Sequence, residues 1–190
     1  MFRTAPADWL IVGLGNPGPD YAATRHNVGF EVARRLIDRW ELTRPRSRYR
    51  GLVTDGRAGP GGPRVAVLLP QTYMNEAGKS VGPARGAFRV APDRVLVLHD
   101  EIDLPFGQIR ARQGGGLAGH NGLKSVRDGL GTADFGRIRV GVGRPPTTDP
   151  DRVAAYVLNR FAEPAEEVER LIEEAADTAE RWIKEGTPPT

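Results

Sequence analysis

Residues 9–27, WLIVGLGNPGPDYAATRHN, are the stretch on which the fold prediction depends. The apolar run 9–14 predicts a buried strand, and it breaks into a loop that contains three glycines and two prolines. The loop leads to His26 at the start of a predicted helix, whose apolar spacing continues from Val28 to Trp40. A strand that stops at a rigid, glycine-rich loop is a common way to build a site at the carboxyl edge of an α/β sheet. We therefore expect the functional site at that edge.

Helical and strand patterns alternate along the rest of the chain, which predicts an α/β fold with a twisted mixed sheet flanked by helices. No repeat or linker divides the chain, so residues 1–190 are expected to form a single compact domain with its core at about 9–186. The predicted strands are 49–55, 64–69, 94–99, 108–113 and 136–143, the first two forming a hairpin around a GPGGP turn. The predicted helices are 72–88, 121–130, 151–159 and the long amphipathic segment from 164 to Gly186, and the basic segment 43–50 is predicted to be a loop.

The composition is typical of a soluble globular protein, with 39% hydrophobic and 27% charged residues. No run approaches the ~18 apolar residues of a membrane span, and the N-terminus lacks a signal-peptide pattern, so we expect a cytoplasmic protein with no membrane partner. The absence of cysteine excludes disulfides, a thiol nucleophile and Cys-bound zinc. Nearly all cations are arginine, whose planar fork suits phosphate, although genomic base composition explains the same bias.

The segment Gly13–Gly18 (GLGNPG) matches the dinucleotide-binding pattern GxGxxG literally. That pattern needs a helix that begins within the glycines and an acidic residue at the end of the next strand, about 20 residues on. Here two prolines stiffen the loop, and the region 20 residues downstream is still helical. A sharp turn that directs Asn16 is therefore the favoured interpretation, and no cofactor is expected.

His26 and the acidic run 100–103 (DEID) are candidates for acid–base chemistry. Asp100 follows a strand, so it would lie at the sheet edge, where it can accept a hydrogen bond from a histidine and set its tautomer. The alternatives are a surface or capping role for His26 and a solvated acidic turn. His99 is predicted to be mainly structural, and His120 a neutral imidazole or loop contact. No compact metal-ligand spacing is present, so no metal site is expected.

Loop amides and arginines suggest binding of a peptide and of phosphate. Asn16, Asn75 and Asn121 can each donate to a carbonyl or oxyanion and accept from an N–H, which suits a peptide backbone, although each alone is also typical of turns. The glycine loop 114–122 places N–H groups at a helix start, where anions bind. Two pairs of arginines each share one face of a predicted strand and would form a phosphate clamp if exposed: Arg110 with Arg112, and Arg137 with Arg139.

In combination, these motifs resemble those of the bacterial peptidyl-tRNA hydrolase family, from about Trp9 to Gly186. The stretches that carry the resemblance are IVGLGNPGPDYAATRHNVG (11–29), LLPQTYMNEAGKSV (68–81), VLHDEIDLPFG (97–107), GHNGLKS (119–125), FGRIRVGVGRP (135–145) and YVLNRF (156–161). Each is modest alone, whereas all of them in this order are specific. The loop departs from the family pattern at Leu117-Ala118, where small or polar residues are more usual.

The resemblance implies a monomeric α/β enzyme that hydrolyses the ester between a peptide and the terminal ribose of tRNA. It implies that His26 activates water, that Asp100 supports His26, and that Asn16 distinguishes blocked from free aminoacyl-tRNA. Asn75 would also stabilise the oxyanion. The substrate-contacting positions would be Tyr21, Tyr73, Met74, Asn75 and Asn121, with Arg112 and Arg139 on tRNA phosphate. Apart from the resemblance, the turn-rich segment after Gly143, which precedes a short predicted helix, suggests a mobile lid with residues 145–150 as its hinge.

Two other classes of protein remain as alternatives. The first is a non-catalytic RNA-binding module on the same fold, against which the presence of both His26 and Asp100 argues. The second is a nucleotide- or metal-dependent enzyme, for which loss of activity in EDTA or thermal stabilisation by NAD would be the evidence.

Overall fold

The structure is a computed structural model that describes residues 3–190, so the first two residues of the expected 1–190 domain lie outside it. Seven strands form one sheet within the described residues. They are β1 (Trp9–Gly13), β2 (Arg46–Arg48), β3 (Gly51–Arg57), β4 (Arg64–Pro70), β5 (Val95–Glu101), β6 (Ile109–Gln113) and β7 (Gly136–Gly141). Their order across the sheet is β2-β3-β4-β1-β5-β7-β6.

The four strands β4, β1, β5 and β7 are mutually parallel, whereas the pairings at the two edges of the sheet are antiparallel. The carboxyl ends of the four parallel strands therefore meet at one edge. The architecture is a single α/β domain with a mixed sheet, as the sequence predicts.

Five α-helices lie among residues 3–190, and four of them cover the sheet, two on each face. They are α1 (Val28–Arg39), α2 (Gly78–Phe88), α3 (Asn121–Leu130), α4 (Pro150–Val157) and α5 (Ala165–Glu185). The helices α1 and α5 pack on one face and α2 and α3 on the other, while α4 contributes no buried residue. No helix among residues 3–190 has the length and apolar character that crossing a membrane requires.

Burial on both faces explains why β1 is apolar at every position. Trp9 and Ile11 face α1 and α5, whereas Leu10 and Val12 face α2 and α3. Successive side chains of a strand point to opposite faces, so a strand covered on both faces has no polar side to present. The order of helices and strands thus follows from the hydrophobic pattern.

The predicted loop at 43–50 is wrong, because Arg46–Arg48 form the edge strand β2, paired antiparallel with β3. Tyr49 and Arg50, which were predicted to begin the next strand, are instead the two-residue turn between β2 and β3, with φ of 55° and 53°. Tight hairpin turns of this kind need positive φ at both central residues and are usually signalled by Asn or Gly. The pair Tyr-Arg carries no such signal.

The predicted hairpin around the GPGGP turn is correct, since β3 pairs antiparallel with β4.

The helix predicted to begin at Thr72 begins later. A single 3-10 turn spans Met74–Glu76, α2 starts at Gly78, and the Thr72 hydroxyl donates to the Tyr73 carbonyl instead of capping the helix. The prediction also ended β5 at His99, whereas the strand continues through Asp100 and Glu101. The other predicted elements agree with the structure to within about two residues.

Candidate active site

His26 and Asp100 meet at the carboxyl edge of the sheet although 74 residues separate them in the chain. His26 Nδ1 lies 2.9 Å from Asp100 Oδ2. His26 belongs to a single 3-10 turn, Arg25–Asn27, that leads into α1, and Asp100 is near the end of β5. The Asp100 side chain is 3% exposed and that of His26 is 15% exposed. One ring nitrogen of His26 is therefore engaged by a buried carboxylate, and the other, Nε2, is left for the adjoining groove.

Asp100 also holds a second imidazole, that of His120, whose Nε2 lies 2.8 Å from Asp100 Oδ1. His120 is the N-cap of α3, and its Nδ1 accepts the backbone N–H groups of Gly122 and Leu123 at 3.1 and 3.3 Å. A ring nitrogen that accepts a hydrogen bond carries no proton, so the network assigns the ring proton to Nε2 and directs it to Asp100. His120 is thus the neutral imidazole that the sequence predicts, with a carboxylate contact that the sequence does not predict.

The environment shifts the pKa values of the two groups in opposite directions. Burial by itself lowers the pKa of His26, but the charge of Asp100 and the hydrogen bond to it outweigh burial, so the pKa is raised. Burial raises the pKa of Asp100, yet the charge that either imidazole carries when protonated, and the hydrogen bonds that His26 and His120 donate, hold that pKa well below its usual range. Asp100 therefore remains a carboxylate, and it stabilises the imidazolium form of His26 when that forms.

His99 is buried behind these groups. Its Nδ1 donates to the backbone carbonyl of Asp100 at 2.8 Å, and its ring contacts that of His120 edge to face at 5.2 Å. Burial and the neighbouring His120 lower the pKa of His99 to about 3, so the ring stays neutral at physiological pH. This environment fits the structural role expected for His99.

Asn16 is held in place by Asn27, which is buried and lies next to His26 in the chain. The Asn27 side chain accepts from the backbone N–H of Asn16 at 2.8 Å and donates to its carbonyl at 2.9 Å. Asn16 Oδ1 in turn accepts the backbone N–H of Met74 at 2.8 Å. Because the Asn16 oxygen is already engaged, the group it presents to a ligand is the Nδ2 donor.

A groove of about 750 Å³ opens over this cluster. Its polar lining consists of Asn16, His26, Asp100 and His120 together with Tyr73, Asn75 and Asn121, and its apolar lining includes Met74, Ile102, Val153, Val157 and Leu158. Tyr73 is 63% exposed at the rim. Of the predicted substrate-contacting residues, Tyr21 alone lies outside this lining; it is half-buried in a 3-10 turn.

Two glycines bring the strand, the loop and the helix together at this point. A Cβ on Gly29 would lie 2.3 Å from the Leu98 carbonyl oxygen, and a Cβ on Gly13 would lie 2.5 Å from the Gly29 carbonyl oxygen. Both glycines are therefore required for α1 to begin against the ends of β1 and β5. Of the glycines in the GxGxxG match, Gly13 and Gly15 serve close packing, whereas Gly18 has open space around it and a φ of 104°. No α-helix begins within the match, as the sequence interpretation expects.

The four arginines of β6 and β7 do not form a common clamp. Arg137 is only 2% exposed, and its guanidinium donates to the carbonyls of Gly115, Gly116 and Ala133, so it anchors the glycine loop. Arg110, although exposed, bonds to the neighbouring Gln108 side chain and Ile109 carbonyl. The clamp prediction is therefore wrong for Arg137, because its position in β7 is buried beneath the loop.

Arg112 and Arg139 remain beside the glycine loop, where they line a cavity of about 200 Å³ next to the groove. Arg139 Nε lies 3.3 Å from the carboxylate of Glu101, which is buried. Glu101 has no predicted role, and the signal that would have found it is its place directly after Asp100 in the same strand. Asp103, which also follows Asp100, instead pairs with exposed Arg144 at 2.7 Å.

His26, Asp100 and His120 are also the residues that would hold a metal ion, since their ligand atoms lie within 4.8 Å of one another. Two imidazoles and a carboxylate are a common donor set for zinc and other transition metals. In this structure, however, the two nitrogens nearest Asp100 are engaged in hydrogen bonds to it. These two hydrogen bonds are enough to explain why the three side chains lie so close together.

An α/β sheet whose parallel strands end beneath a groove, with an imidazole–carboxylate pair in the groove lining, fits the class of enzymes that use general acid–base chemistry, hydrolases among them. The sequence profile described as "Peptidyl-tRNA hydrolase" matches residues 10–190. The chain therefore belongs to the peptidyl-tRNA hydrolase family, and it is an enzyme that hydrolyses peptidyl-tRNA.

Individual relatives agree with this assignment. The chain is 50% identical over 182 residues to a peptidyl-tRNA hydrolase of Mycobacterium sp. (strain KMS), covering 95% of this chain and 93% of that protein. It is 48% identical over 178 residues to one from Syntrophotalea carbinolica, covering 93% and 91%. The crystal structure of the Acinetobacter baumannii peptidyl-tRNA hydrolase superposes with a TM-score of 0.81 at 38% identity, covering 94% of this chain and 89% of that one.

Proposed function

We propose that His26 is the general base of this hydrolase and that Asp100 orients it. The bond cleaved joins a peptide, or an N-blocked aminoacyl group, to the 3′-terminal ribose of tRNA, and the reaction recycles peptidyl-tRNA released prematurely from ribosomes. The observation that carries the proposal is the 2.9 Å contact between His26 Nδ1 and Asp100 Oδ2 on the groove floor. With Nδ1 engaged as the donor, Nε2 is the nitrogen that takes a proton from water.

The proposed reaction proceeds in two steps. His26 Nε2 removes a proton from water as the water oxygen attacks the ester carbonyl, which gives a tetrahedral oxyanion and an imidazolium. The imidazolium then returns the proton to the ribose oxygen as the ester bond breaks, so the base is regenerated. Because a ribose hydroxyl leaves far more easily than an amine, water activated by a general base is sufficient. A covalent nucleophile on the enzyme is therefore not needed.

The amides around the groove would recognise the acyl part of the substrate. We assign Asn75, together with nearby N–H groups, to the oxyanion, and Tyr21, Tyr73, Met74 and Asn121 to contacts with the substrate. Asn16 presents an N–H donor, because its oxygen is bound by the Met74 amide. A blocked substrate offers a carbonyl to that donor, whereas a free α-ammonium offers only further donors. This difference supports a role for Asn16 in selecting blocked substrates.

The groove and the cavity next to it would bind different parts of the substrate. Arg112 and Arg139, with their paired donors, would hold tRNA phosphate beside the glycine loop. The apolar wall formed by Ile102 and α4 would take side chains of the peptide. The segment 145–150 before α4 would act as the hinge of a lid. We further propose that the enzyme acts as a monomer in the cytoplasm, without a membrane partner.

Release of free tRNA from N-acetyl-aminoacyl-tRNA tests the proposal. The variant His26→Ala is expected to lose ~10²–10⁴ in kcat, because a general base typically contributes that much. Its binding of uncharged tRNA should equal that of the wild type, which separates chemistry from recognition. The wild type should also cleave the blocked substrate in strong preference to the unblocked aminoacyl-tRNA. Normal turnover by His26→Ala would refute the assigned role.

A further inference from the structure

The helix α4 forms one wall of the groove but has little to hold it there. None of its residues is fully buried, and Val153 and Val157, with Leu158 at the C-cap, line the groove. Within α4, Tyr156 alone packs against the core, where its hydroxyl donates to the Val142 carbonyl at 2.7 Å. A helix with so few core contacts is held largely by whatever fastens its ends. The position of this wall above His26 therefore depends on a small number of specific contacts.

Several of these contacts are made by Arg25, which is 5% exposed. Its Nη1 donates to the carbonyl of Tyr156 at 3.0 Å and to that of Asn159 at 3.5 Å, and its backbone N–H donates to the Asn159 carbonyl at 3.1 Å. Its guanidinium also lies over the Tyr156 ring, 3.9 Å from the ring centroid. The side chain thus binds both the last turn of α4 and an aromatic ring that projects from it.

This arrangement suits arginine in particular. The last carbonyls of a helix have no partners within the helix and carry partial negative charge, so they favour a cation with several N–H donors. A planar guanidinium can donate to the carbonyls at its edge while its face stacks on the ring, and a lysine ammonium cannot do both. No carboxylate of the described chain lies within 4 Å of the Arg25 guanidinium. The carbonyls at the end of α4 and the Tyr156 ring are therefore the main groups that stabilise its buried charge.

Arg25 is also the residue directly before His26, and both belong to the same 3-10 turn. We propose that Arg25 is a positioning residue that holds α4 at a set height over His26 and thereby determines how well the enzyme accepts bulky apolar side chains on the peptide. The proposal rests on the proposed function in placing the peptide against α4. Loss of the Arg25 contacts releases the wall while leaving the contact between His26 and Asp100 in place.

Hydrogen exchange measures the first part of the proposal without catalysis. In Arg25→Met, amides of α4 are expected to exchange about tenfold faster or more, because the variant loses hydrogen bonds from a charged donor, which are stronger than those between neutral groups. Amides of α3 serve as the internal reference and should be unchanged. Arg25→Lys should give an intermediate result. The matched control is Arg152→Met, which removes an exposed arginine of α4 itself and should leave exchange as in the wild type.

Substrate selectivity measures the second part. We compare kcat/KM for N-acetyl-leucyl-tRNA and N-acetyl-glycyl-tRNA, and expect the ratio of the two to fall about tenfold in Arg25→Met and not in Arg152→Met. Tyr156→Leu removes the stacked ring without changing the residue beside His26, and it should lower the ratio as well. Tyr156→Phe keeps the ring and loses only the hydroxyl bond to Val142. Its kcat/KM ratio for the leucyl over the glycyl substrate should therefore fall less than that of Tyr156→Leu.

The outcomes separate this inference from the proposed function. Unchanged exchange in α4, or equal losses on the leucyl and glycyl substrates, would overturn the positioning role of Arg25. Failure of the proposed function would appear differently, as normal turnover in His26→Ala with the exchange result intact. Equal acceleration of exchange in α3 and α4 would also overturn the proposal, because it would mean that Arg25 supports the whole fold.

Discussion

His26 and His120 donate to opposite oxygens of one buried carboxylate, at 2.9 and 2.8 Å, and their rings lie 5.3 Å apart. The two imidazoles reach Asp100 from opposite faces of the sheet, His26 from the turn before α1 and His120 from the start of α3. Their remaining nitrogens differ: that of His120 caps α3, and that of His26 is left for the groove. The shared carboxylate therefore leaves a single imidazole nitrogen for chemistry.

The pH profile should report the pKa of His26. Only the neutral imidazole can take a proton from water, so kcat/KM is expected to fall as the pH drops through this pKa. Because Asp100 raises the pKa of His26, the acid limb of the profile should lie above the ordinary histidine value of ~6.5. In Asp100→Asn the limb should move to lower pH and the plateau should fall. A limb at the same pH in both proteins would contradict the assignment.

Contacts with tRNA phosphate should appear in KM and in salt dependence. We expect Arg139→Ala or Arg112→Ala to raise KM for peptidyl-tRNA more than for a minimal peptidyl-adenosine ester, and to reduce the slope of log affinity against log salt by about one. Arg110→Ala is the matched control, because Arg110 is exposed on the same strand but bonds to its own neighbours. Equal effects on the long and the minimal substrate would count against the phosphate contact.

The ion pairs between α1 and α5 should contribute to stability and not to activity. Arg39 bonds the Glu173 carboxylate, lies 2.8 Å from Asp177 and is 3.8 Å from Glu180. Because these pairs are partly exposed, we expect Arg39→Ala to lower the free energy of unfolding by ~1 kcal/mol, or Tm by about 2–4 °C. Arg34→Ala removes one exposed pair, with Glu31, and should cost less. The difference between the two variants should shrink in 1 M salt, and kcat should be unchanged in both.

Much of the fold could be predicted from local sequence. No position of β1 from Trp9 to Val12 is polar, although successive side chains point to opposite faces of the sheet. Such a pattern is typical of a strand that helices cover on both faces. The apolar stripe of α5 and the glycine that ends it at Gly186, with φ of 79°, are also local features. The elements that sequence reasoning misplaced lacked such signals: the turn at Tyr49 and Arg50 contains neither Asn nor Gly, although both residues have positive φ.

The candidate site was predictable in part, and the burial of each side chain decided the rest. Asp100 could be placed at the sheet edge because it follows an apolar strand, and the family resemblance named His26 as its partner. Arg137 and Arg139 look equivalent in the sequence, two positions apart on one strand. Both line the cavity beside the glycine loop, and only the packing of that loop over β7 distinguishes them: it buries the Arg137 guanidinium against the loop carbonyls, whereas the Arg139 side chain is 25% exposed.

The sequence by itself determined most of the segments that become strands and helices, the edge strand β2 excepted, and it identified the family, because both depend on residues near one another in the chain. Tertiary structure alone decided that His120 shares Asp100, that Asn27 holds Asn16 and that Arg25 fastens α4. These contacts join residues 11 to 131 positions apart. Hydrogen bonds are directional and act over about 3 Å, so their partners are settled only when the sheet and helices have packed.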